Sequence, residues 1–378
     1  MTGPRYPGFT TLALHVAARP TDPDLATAQF EERLAALEDG VAGVAAASGQ
    51  AALYLALATL AGAGDHVVAA DTLAPAAHAL LAHGLARFGV AVTFVDARDP
   101  DAWRAAIRPA TRACVAPALG HADLAVLDIP RVAALAHEHD LPLLVDATTA
   151  TPWLLRAFDH GADIVVHAAG WLAGRADAAG GVLVDGGTFD WHAAHARTGR
   201  YATLCEPDAG CAGRVFADES TVGAFALRAR ESTLPGFGAT LGAHDAGVVL
   251  AGLDTLAVRM ERHVAGARRV AELLARHPAV AHVAWPDLET HPDHALARRL
   301  LPRGCGAVVP FALHGGPAAA ARLLDGLKLI GRGEAAGGPR SLASPGPDGT
   351  VRLAIGLEDT DDLADDLGRA LKLAQKGA

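Results

Sequence analysis

The chain has 378 residues, of which 51% are hydrophobic and only 5% aromatic. A chain of this length can hold two domains, and small aliphatic side chains must fill their cores. Lysine and arginine number 32 against 42 aspartates and glutamates, which gives a formal net charge of −10. This charge argues against a nucleic-acid partner and against an anionic membrane surface.

Lysine and cysteine are both scarce. Lysine occurs only at Lys328, Lys372 and Lys376, so chemistry that needs a lysine amine earlier in the chain is excluded. Four cysteines are too few for a disulfide framework in a chain this long. The first residues also lack the layout of a signal peptide. We therefore expect a cytoplasmic protein.

The stretch 40–64 carries no charge and is long enough to span a bilayer. Ser48, Gly49 and Gln50 lie near its middle, between a predicted strand over 41–46 and a predicted helix over 51–60. The sequence therefore favours a buried strand, turn and helix over a membrane span.

From residue 41 to residue 185, short β-branched runs alternate with helical runs, which is typical of a parallel sheet with helices on both faces. Ligands of such sheets bind beyond the carboxyl ends of the strands, where Ser48, Asp146 and His167 fall. Strands are predicted over 41–46, 66–70, 90–95, 112–116, 141–146, 164–167 and 181–185, and further helices over 75–87, 100–107 and 129–139.

The pattern changes after about residue 230. Apolar residues at helical spacing between Met260 and Leu274 predict a long amphipathic helix that links two halves. Glycine and proline cluster over 331–349, which predicts a flexible segment. Around it the sequence predicts strands over 280–285, 307–312 and 350–354 and helices over 294–301, 317–327 and 361–376. This half is a smaller α+β domain.

The run VDATTATPWLLRAFDHGADIVVHAAGWLAGRADAAGGVLVDGGTFDW, residues 145–191, resembles the O-acetylhomoserine sulfhydrylase branch of the Cys/Met-metabolism PLP enzymes. Further similar runs follow the family's order, among them EERLAALEDGVAGVAAASGQAA, GLDTLAVRMERH and VRLAIGLED. The resemblance implies a fold-type I PLP-transferase architecture: a truncated arm over 1–28, a large α/β domain over 29–242 and a C-terminal α+β domain over 243–378. It also implies a homodimer or homotetramer.

The sequence departs from the family where the cofactor is held. The family's Ser-Ala-Thr-Lys segment, whose lysine bonds PLP, matches Ala168, Ala169, Gly170 and Trp171 here. The family's Tyr-x-Arg segment is missing between residues 17 and 27, and its ring-stacking tyrosine falls at about Ala74. We expect from these losses that no cofactor is bound covalently and that PLP is not the ligand.

Other cofactor-binding positions are kept, according to the same resemblance. Asp146 matches the aspartate that pairs with the pyridine nitrogen, and Thr148 follows it. Ser48, Gly49 and Gln50 keep backbone N–H groups at a helix start, where an anion binds. A helix cap is the structural alternative for Asp146, and the turn at Ser48 is needed with or without an anion.

Arg352 and Ser341 match the arginine and serine that hold the substrate carboxylate in the family. Arg352 could instead form an ion pair with Glu358 or Asp359. Trp171 fills the volume that a lysine and a pyridine ring would share, so it either plugs the cavity or stacks against a new ligand.

Two histidines are unexpected from the family pattern. His121 and His78 should both face the pocket, and we predict them as general acid or base residues. His167 is the family's ordinary histidine at a strand end and is interpreted as structural. His192, His195, Cys205 and Cys211 offer nitrogen and sulfur ligands for a metal, but their spacing matches no standard motif. A metal or haem is therefore an alternative, and no metal site is assigned.

These observations lead to a first functional hypothesis: a PLP-independent homologue of O-acetylhomoserine sulfhydrylase in a specialised pathway. Its remodelled pocket would bind, and in one version transform, a small amino-acid-derived or other carboxylate ligand. The alternative is a non-catalytic subunit that partners an active PLP-dependent paralogue. A third hypothesis keeps PLP bound noncovalently through Asp146 and the turn at Ser48.

Overall fold

A computed structural model describes residues 25–175 and 178–375. Within these ranges the chain forms a seven-stranded sheet and then a five-stranded sheet. The strands of the larger sheet are β1 (Ala42–Ala46), β2 (His66–Ala70), β3 (Ala91–Val95), β4 (Thr111–Pro117), β5 (Leu143–Asp146), β6 (Ile164–Ala168) and β7 (Gly181–Asp185).

The larger sheet has the order β1-β7-β6-β5-β4-β2-β3, and strands β2 to β6 run parallel. Strand β7 is antiparallel to both β1 and β6. The central strands are almost continuous runs of buried aliphatic residues, as expected when helices cover both faces of a parallel sheet. The predicted fold class, a mostly parallel sheet flanked by helices, is confirmed.

The helices around the larger sheet are mostly short, and one predicted helix is interrupted. The predicted helix over 75–87 is α-helical only as far as Ala79 and continues as a π-helical turn, Leu80–Gly84, and a 3-10 turn, Leu85–Phe88. The helices are α1 (Leu25–Glu38), α2 (Gly49–Leu60), α3 (Pro75–Ala79), α4 (Pro100–Ala106), α5 (Ile129–Glu138), α6 (Thr151–Leu154), α7 (Ala169–Ala173), α8 (Trp191–Thr198), α9 (Ala202–Cys205), α10 (Phe216–Glu219), α11 (Ala224–Arg228) and α12 (Leu234–Phe237).

The second half begins with α13 (Ala243–Leu253) and the 21-residue helix α14 (Leu256–Arg276). Its sheet has the order β10-β11-β12-β9-β8. The remaining elements are β8 (Val280–Val283), α15 (His294–Leu300), β9 (Val308–Leu313), α16 (Gly316–Gly326), β10 (Gly331–Arg332), β11 (Leu342–Pro345), β12 (Thr350–Ala354) and α17 (Thr360–Gln375).

The glycine-rich segment 331–349 contributes two strands to this sheet, so the prediction of a purely flexible segment is wrong. Strand β10 pairs in parallel with β11, and β11 pairs antiparallel with β12. Non-local backbone pairing holds the segment, and glycine content does not reveal such pairing. The domain boundaries stay a prediction, and residues 1–24 of the proposed arm lie outside the described ranges.

The uncharged stretch 40–64 forms β1, a turn at Ser48 and α2, in agreement with the predicted strand, turn and helix. Most of its apolar side chains pack in the protein core. Across residues 25–175 and 178–375, no helix is both long and apolar enough to cross a membrane.

A buried carboxylate ties the larger sheet to the helices that follow it. Asp185, at the end of β7, is 2% exposed. Its two oxygens accept hydrogen bonds from the backbone N–H groups of Gly187, at 2.9 Å, and Ala226, at 3.0 Å. Burial raises the pKa of Asp185 to about 6, because removal from water disfavours the charged carboxylate.

This raised pKa predicts a pH-dependent contribution to stability. Between about pH 4 and pH 6 the folded chain keeps a proton on Asp185 that the unfolded chain has lost, so the contribution of this group falls as pH rises. The substitution Asp185→Asn removes the carboxyl group that titrates in this range. The stability advantage of the wild type over the variant should therefore be about 2 kcal/mol larger at pH 4.5 than at pH 7. Equilibrium unfolding in urea at both pH values measures this difference, and an equal advantage at the two would contradict it.

Candidate functional site

A cavity of about 400 Å³ opens at the carboxyl ends of β4, β5 and β6. Ligands bind at this edge in parallel α/β sheets, and the volume suits a small organic molecule. The start of α2, helix α7 and strand β12 of the smaller sheet complete its walls. The lining residues are Ser48, Gly49, Gln50, Leu53, Ala74, Ala76, Ala77, Pro117, Leu119, His121, Asp146, Thr148, Thr149, Val166, His167, Ala168, Gly170, Trp171, Ala336 and Arg352.

The first turn of α2 forms one end of the cavity. Ser48 caps the helix, because its hydroxyl oxygen accepts a hydrogen bond from the N–H of Ala51 at 3.0 Å. The first N–H groups of a helix have no partner within the helix, and the helix dipole places partial positive charge there. A side chain on Gly49 would put its Cβ 2.5 Å from the Cβ of Ala168. Because residue 49 is glycine, the positively polarised start of α2 can approach the carboxyl end of β6.

The carboxylate of Asp146 lies at the end of β5 and is half-buried. Its Oδ1 accepts a hydrogen bond from the N–H of Thr148 at 3.0 Å. The hydroxyl oxygen of Thr148 in turn accepts from the N–H of Ala168, also at 3.0 Å. These bonds join the ends of β5 and β6 and hold an acid at the cavity wall.

Arg352, on β12, supplies a cation on the other side of the cavity. Its Nε is buried and has no hydrogen-bond partner among the described residues. Burial lowers the pKa of Arg352, against a raising effect of the Glu334 charge. A desolvated guanidinium with an unused donor is costly until an anion pairs with it. The carboxylate of a ligand would fill this role.

His121 lines the same cavity. Burial and then the positive charge of Arg352 lower the pKa of His121 to about 4. The imidazole is therefore neutral near pH 7 and can accept a hydrogen bond or a proton. A proton-transfer role for His121 stays a prediction.

His78 does not line the cavity, so the expectation that it faces the pocket is wrong. Its ring stacks on Phe94 of the edge strand β3, with 4.0 Å between centroids. His78 lies within the regular part of its helix, α3, whereas its neighbours Ala76 and Ala77 line the cavity.

Ser341 is also absent from the cavity wall, which contradicts its predicted role as a ligand to the carboxylate. Its hydroxyl donates to Glu358 Oε2 at 2.8 Å and accepts from the N–H of Gly356 at 2.8 Å. Glu358 is therefore engaged with Ser341 and is not the ion-pair partner of Arg352 that the sequence left open. The other candidate, Asp359, lies 3.8 Å from Arg262.

Trp171 lies on α7 and is 2% exposed. Arg259 donates hydrogen bonds to the carbonyl oxygens of Trp171, at 2.9 Å, and Leu172, at 2.8 Å. The ring of His263 meets the indole edge to face, with 5.2 Å between centroids. The sequence pattern assigned no role to Arg259, so this contact was not predicted. The only sequence signal for the burial of Arg259 was its position next to Met260, a buried residue of the same helix.

The proposed metal ligands do not come together. His192 pairs with Asp218, and His195 pairs with Glu206. Cys211 lies 4.0 Å from the carbonyl oxygen of Glu231. Among residues 25–175 and 178–375, no group of three or more His, Cys, Asp or Glu side chains could hold a metal ion.

His167, which lines the cavity, forms a buried pair with Glu38. Nε2 of His167 lies 2.5 Å from Oε1 of Glu38, and both side chains are fully buried. Removing one partner of a buried pair leaves the other uncompensated, so Glu38→Ala should lower the free energy of unfolding by about 3–5 kcal/mol. Glu38→Gln keeps a hydrogen-bond acceptor and should cost less. Urea unfolding tests both variants beside the exposed control Glu138→Ala, and a Glu38→Ala loss no larger than the control's would contradict the prediction.

The effect of Arg352 on His121 is open to a direct test. Arg352→Gln removes a positive charge near the imidazole, so the pKa of His121 should rise from about 4 while staying below its ordinary value, since burial persists. Titration of ring-labelled histidines by NMR measures this pKa, and the His121→Gln spectrum assigns the signal. An unchanged pKa in Arg352→Gln, or an equal rise in the exposed control Arg276→Gln, whose charge does not act on His121, would refute the coupling.

Comparisons with known proteins agree on one family. Residues 18–372 match the model of the Cys/Met metabolism PLP-dependent enzyme family. An O-acetyl-L-homoserine sulfhydrylase of Leptospira meyeri is 38% identical, covering 91% of this chain and 83% of the relative. A homocysteine synthase of Schizosaccharomyces pombe is 36% identical, and the match covers 91% of this chain and 84% of that relative.

A solved structure shares the fold closely. A protein named O-acetylhomoserine (thiol)-lyase from Campylobacter jejuni superimposes with a TM-score of 0.88 at 31% identity, covering 92% of this chain and 85% of that one. That structure contains N'-pyridoxyl-lysine-5'-monophosphate. An O-acetylhomoserine sulfhydrylase of Wolinella succinogenes has a TM-score of 0.80 at 30% identity, and the match covers 92% of this chain and 96% of that one.

These findings contradict the hypothesis of a PLP-independent protein. The two relatives are named an O-acetyl-L-homoserine sulfhydrylase and a homocysteine synthase, and the Campylobacter structure contains N'-pyridoxyl-lysine-5'-monophosphate. The cavity also fits such a cofactor, because it joins the acid Asp146, a helix start and the unpaired donor of Arg352. The expectation that PLP is not the ligand is therefore wrong. The chain belongs to the Cys/Met metabolism PLP-dependent enzyme family.

Proposed function

We propose that this chain binds PLP noncovalently and acts in the sulfhydrylase branch of its family on an amino-acid substrate held by its carboxylate. The observation that carries the proposal is the single cavity that combines Asp146, the start of α2 and the unpaired Nε of Arg352. When bound, PLP supplies an electron sink beside the substrate's amino group. The protein supplies binding, orientation and proton transfer.

Two features of the cavity suit the two polar ends of the cofactor. The first turn of α2, at Gly49 and Gln50, offers backbone donors and helix-dipole charge to a phosphate. Asp146 offers a carboxylate to the pyridine nitrogen, and no described residue uses its second oxygen. A charged acceptor of this kind keeps the ring nitrogen protonated.

The noncovalent mode follows from the distribution of lysines. Of the lysines within the described ranges, neither Lys328 nor Lys372 lines the cavity. We propose that Trp171 stands where the relatives carry the lysine that bonds PLP, as the match of residues 168–171 to the family segment implies. Its buried indole then forms a wall beside the cofactor and cannot react with it.

Arg352 and His121 would serve the substrate. The guanidinium of Arg352 binds a carboxylate through its unused donor. A bound carboxylate cancels part of the charge that lowers the pKa of His121. Substrate binding therefore makes this imidazole a stronger base, suited to moving a proton at the substrate.

We also propose that the chain assembles with itself as a homodimer or homotetramer. Family membership supports this, and the net charge of −10 argues against nucleic acid as a partner. A cytoplasmic location stays a prediction from the low cysteine content.

PLP binding tests the proposal directly. Titration with PLP should produce a visible absorbance band that stays with the protein through gel filtration. Asp146→Ala removes a charge-assisted hydrogen bond and should weaken PLP binding about 10- to 100-fold. Loss of the band from the wild type on gel filtration would overturn the proposed function.

Borohydride reduction distinguishes the mode of attachment. Reduction of the PLP-loaded wild type should leave the mass of the intact chain unchanged, because no lysine of residues 25–175 and 178–375 lines the cavity. Trp171→Lys should gain the mass of one reduced pyridoxyl phosphate, and the matched control Trp171→Phe should not. A stoichiometric adduct on a wild-type lysine would show that the noncovalent mode is wrong.

A further inference from the structure

We propose that the indole N–H of Trp171 donates a hydrogen bond to the aldehyde oxygen of PLP. The inference rests on the proposed function in one respect, the noncovalent binding of PLP with Trp171 in the place of the relatives' lysine. The proposed function uses Trp171 only as an unreactive wall. Here Trp171 becomes a binding residue that recognises the one group of the cofactor that a lysine would have consumed.

The indole nitrogen of Trp171 is a donor that has no acceptor in the part of the chain that the structure describes. An indole N–H can only donate, so an acceptor on a ligand or a water molecule must satisfy it. The indole nitrogens of Trp103 and Trp285 also lack partners among the described residues, but they are fully buried, whereas that of Trp171 is accessible. Because Trp171 is only 2% exposed and lines the cavity, its accessible N–H opens on the cavity.

Neighbouring residues hold Trp171 in position. Arg259 donates a hydrogen bond to the carbonyl oxygen of Trp171 at 2.9 Å. The ring of His263 meets the indole edge to face, with 5.2 Å between centroids, and Nδ1 of His263 donates to the carbonyl oxygen of Ile355 at 2.7 Å. A side chain that is already fixed loses little conformational entropy when it donates to a ligand. The N–H of Trp171 is therefore a preorganised donor.

The places assigned to the other polar groups of PLP identify the acceptor. The proposed function gives the phosphate to the first turn of α2 and the ring nitrogen to Asp146. A lysine amine bonds PLP at the aldehyde, so we expect the side chain in the lysine's place to meet that group. PLP that is held without a covalent bond keeps its aldehyde oxygen, which is a hydrogen-bond acceptor. The unused N–H of Trp171 and this oxygen therefore satisfy each other.

Calorimetric titration with PLP and with 4-deoxypyridoxine 5'-phosphate tests the inference. The two compounds share the ring, its hydroxyl group and the phosphate, but the second has a methyl group in place of the aldehyde. The wild type should bind PLP more tightly. Trp171→Phe keeps an aromatic ring without the N–H and should lower the ratio of the two affinities about three- to tenfold, as expected for one neutral hydrogen bond. The control Trp153→Phe changes a tryptophan that does not line this cavity and should leave the ratio unchanged.

The outcomes separate this inference from the proposed function. If Trp171→Phe weakens both compounds by the same factor, the indole acts only by packing or through a group that the two compounds share. The inference is then overturned, while PLP binding stands. It is also overturned if the wild type binds the deoxy compound as tightly as PLP, a measurement that needs no variant. If the wild type binds neither compound, the PLP site fails and the inference fails with it.

Discussion

The close contact between the start of α2 and the ends of β6 and β7 sets the geometry of the cavity. A Cβ on Gly49 would lie 2.5 Å from the Cβ of Ala168, and a Cβ on Gly181 would lie 2.5 Å from the carbonyl oxygen of Ser48. Only glycine permits these approaches, so the helix start is fixed against the sheet. The dipole of α2 then acts at the edge of the sheet where β5 ends, which is also where Asp146 and Thr148 lie. A ligand at this edge meets donors and an acid that are already in place.

The smaller sheet contributes the opposite charge. Arg352 extends from β12 into the cavity with a buried Nε that has no partner among the described residues, and a buried donor without a partner is costly. A carboxylate ligand removes that cost, so part of the binding free energy comes from relieving a desolvated cation. His121 responds to the same charge through its lowered pKa. Binding and proton affinity are therefore linked at this site, because one guanidinium acts on both the ligand and the imidazole.

Local pattern predicted the regular elements well and the long-range contacts poorly. Strands β2, β7 and β12 have the predicted bounds, because buried β-branched runs between turns specify strands locally. His78 lies on α3 and stacks on Phe94 of β3, a contact between separate elements that helical spacing does not anticipate. Ser341 was assigned to the ligand by its place in a motif. Glu358, 17 residues later, takes its hydroxyl instead, and such a contact exists only in the folded chain.

The error about PLP has a physical source. Covalent attachment and cofactor affinity are separate properties, because a lysine supplies attachment and proton transfer while other groups supply most polar contacts. In the proposed function, Trp171 takes the place of the lysine that carries the amine. The backbone of Trp171 is held by Arg259 on one side and by the loop at Gly337 on the other, and the ring of His263 packs against its indole, so the side chain lies beside the cavity without filling it. Asp146 and the start of α2 are unaffected by that exchange. A pocket built in this way can lose its covalent bond to PLP and still keep the groups that recognise it.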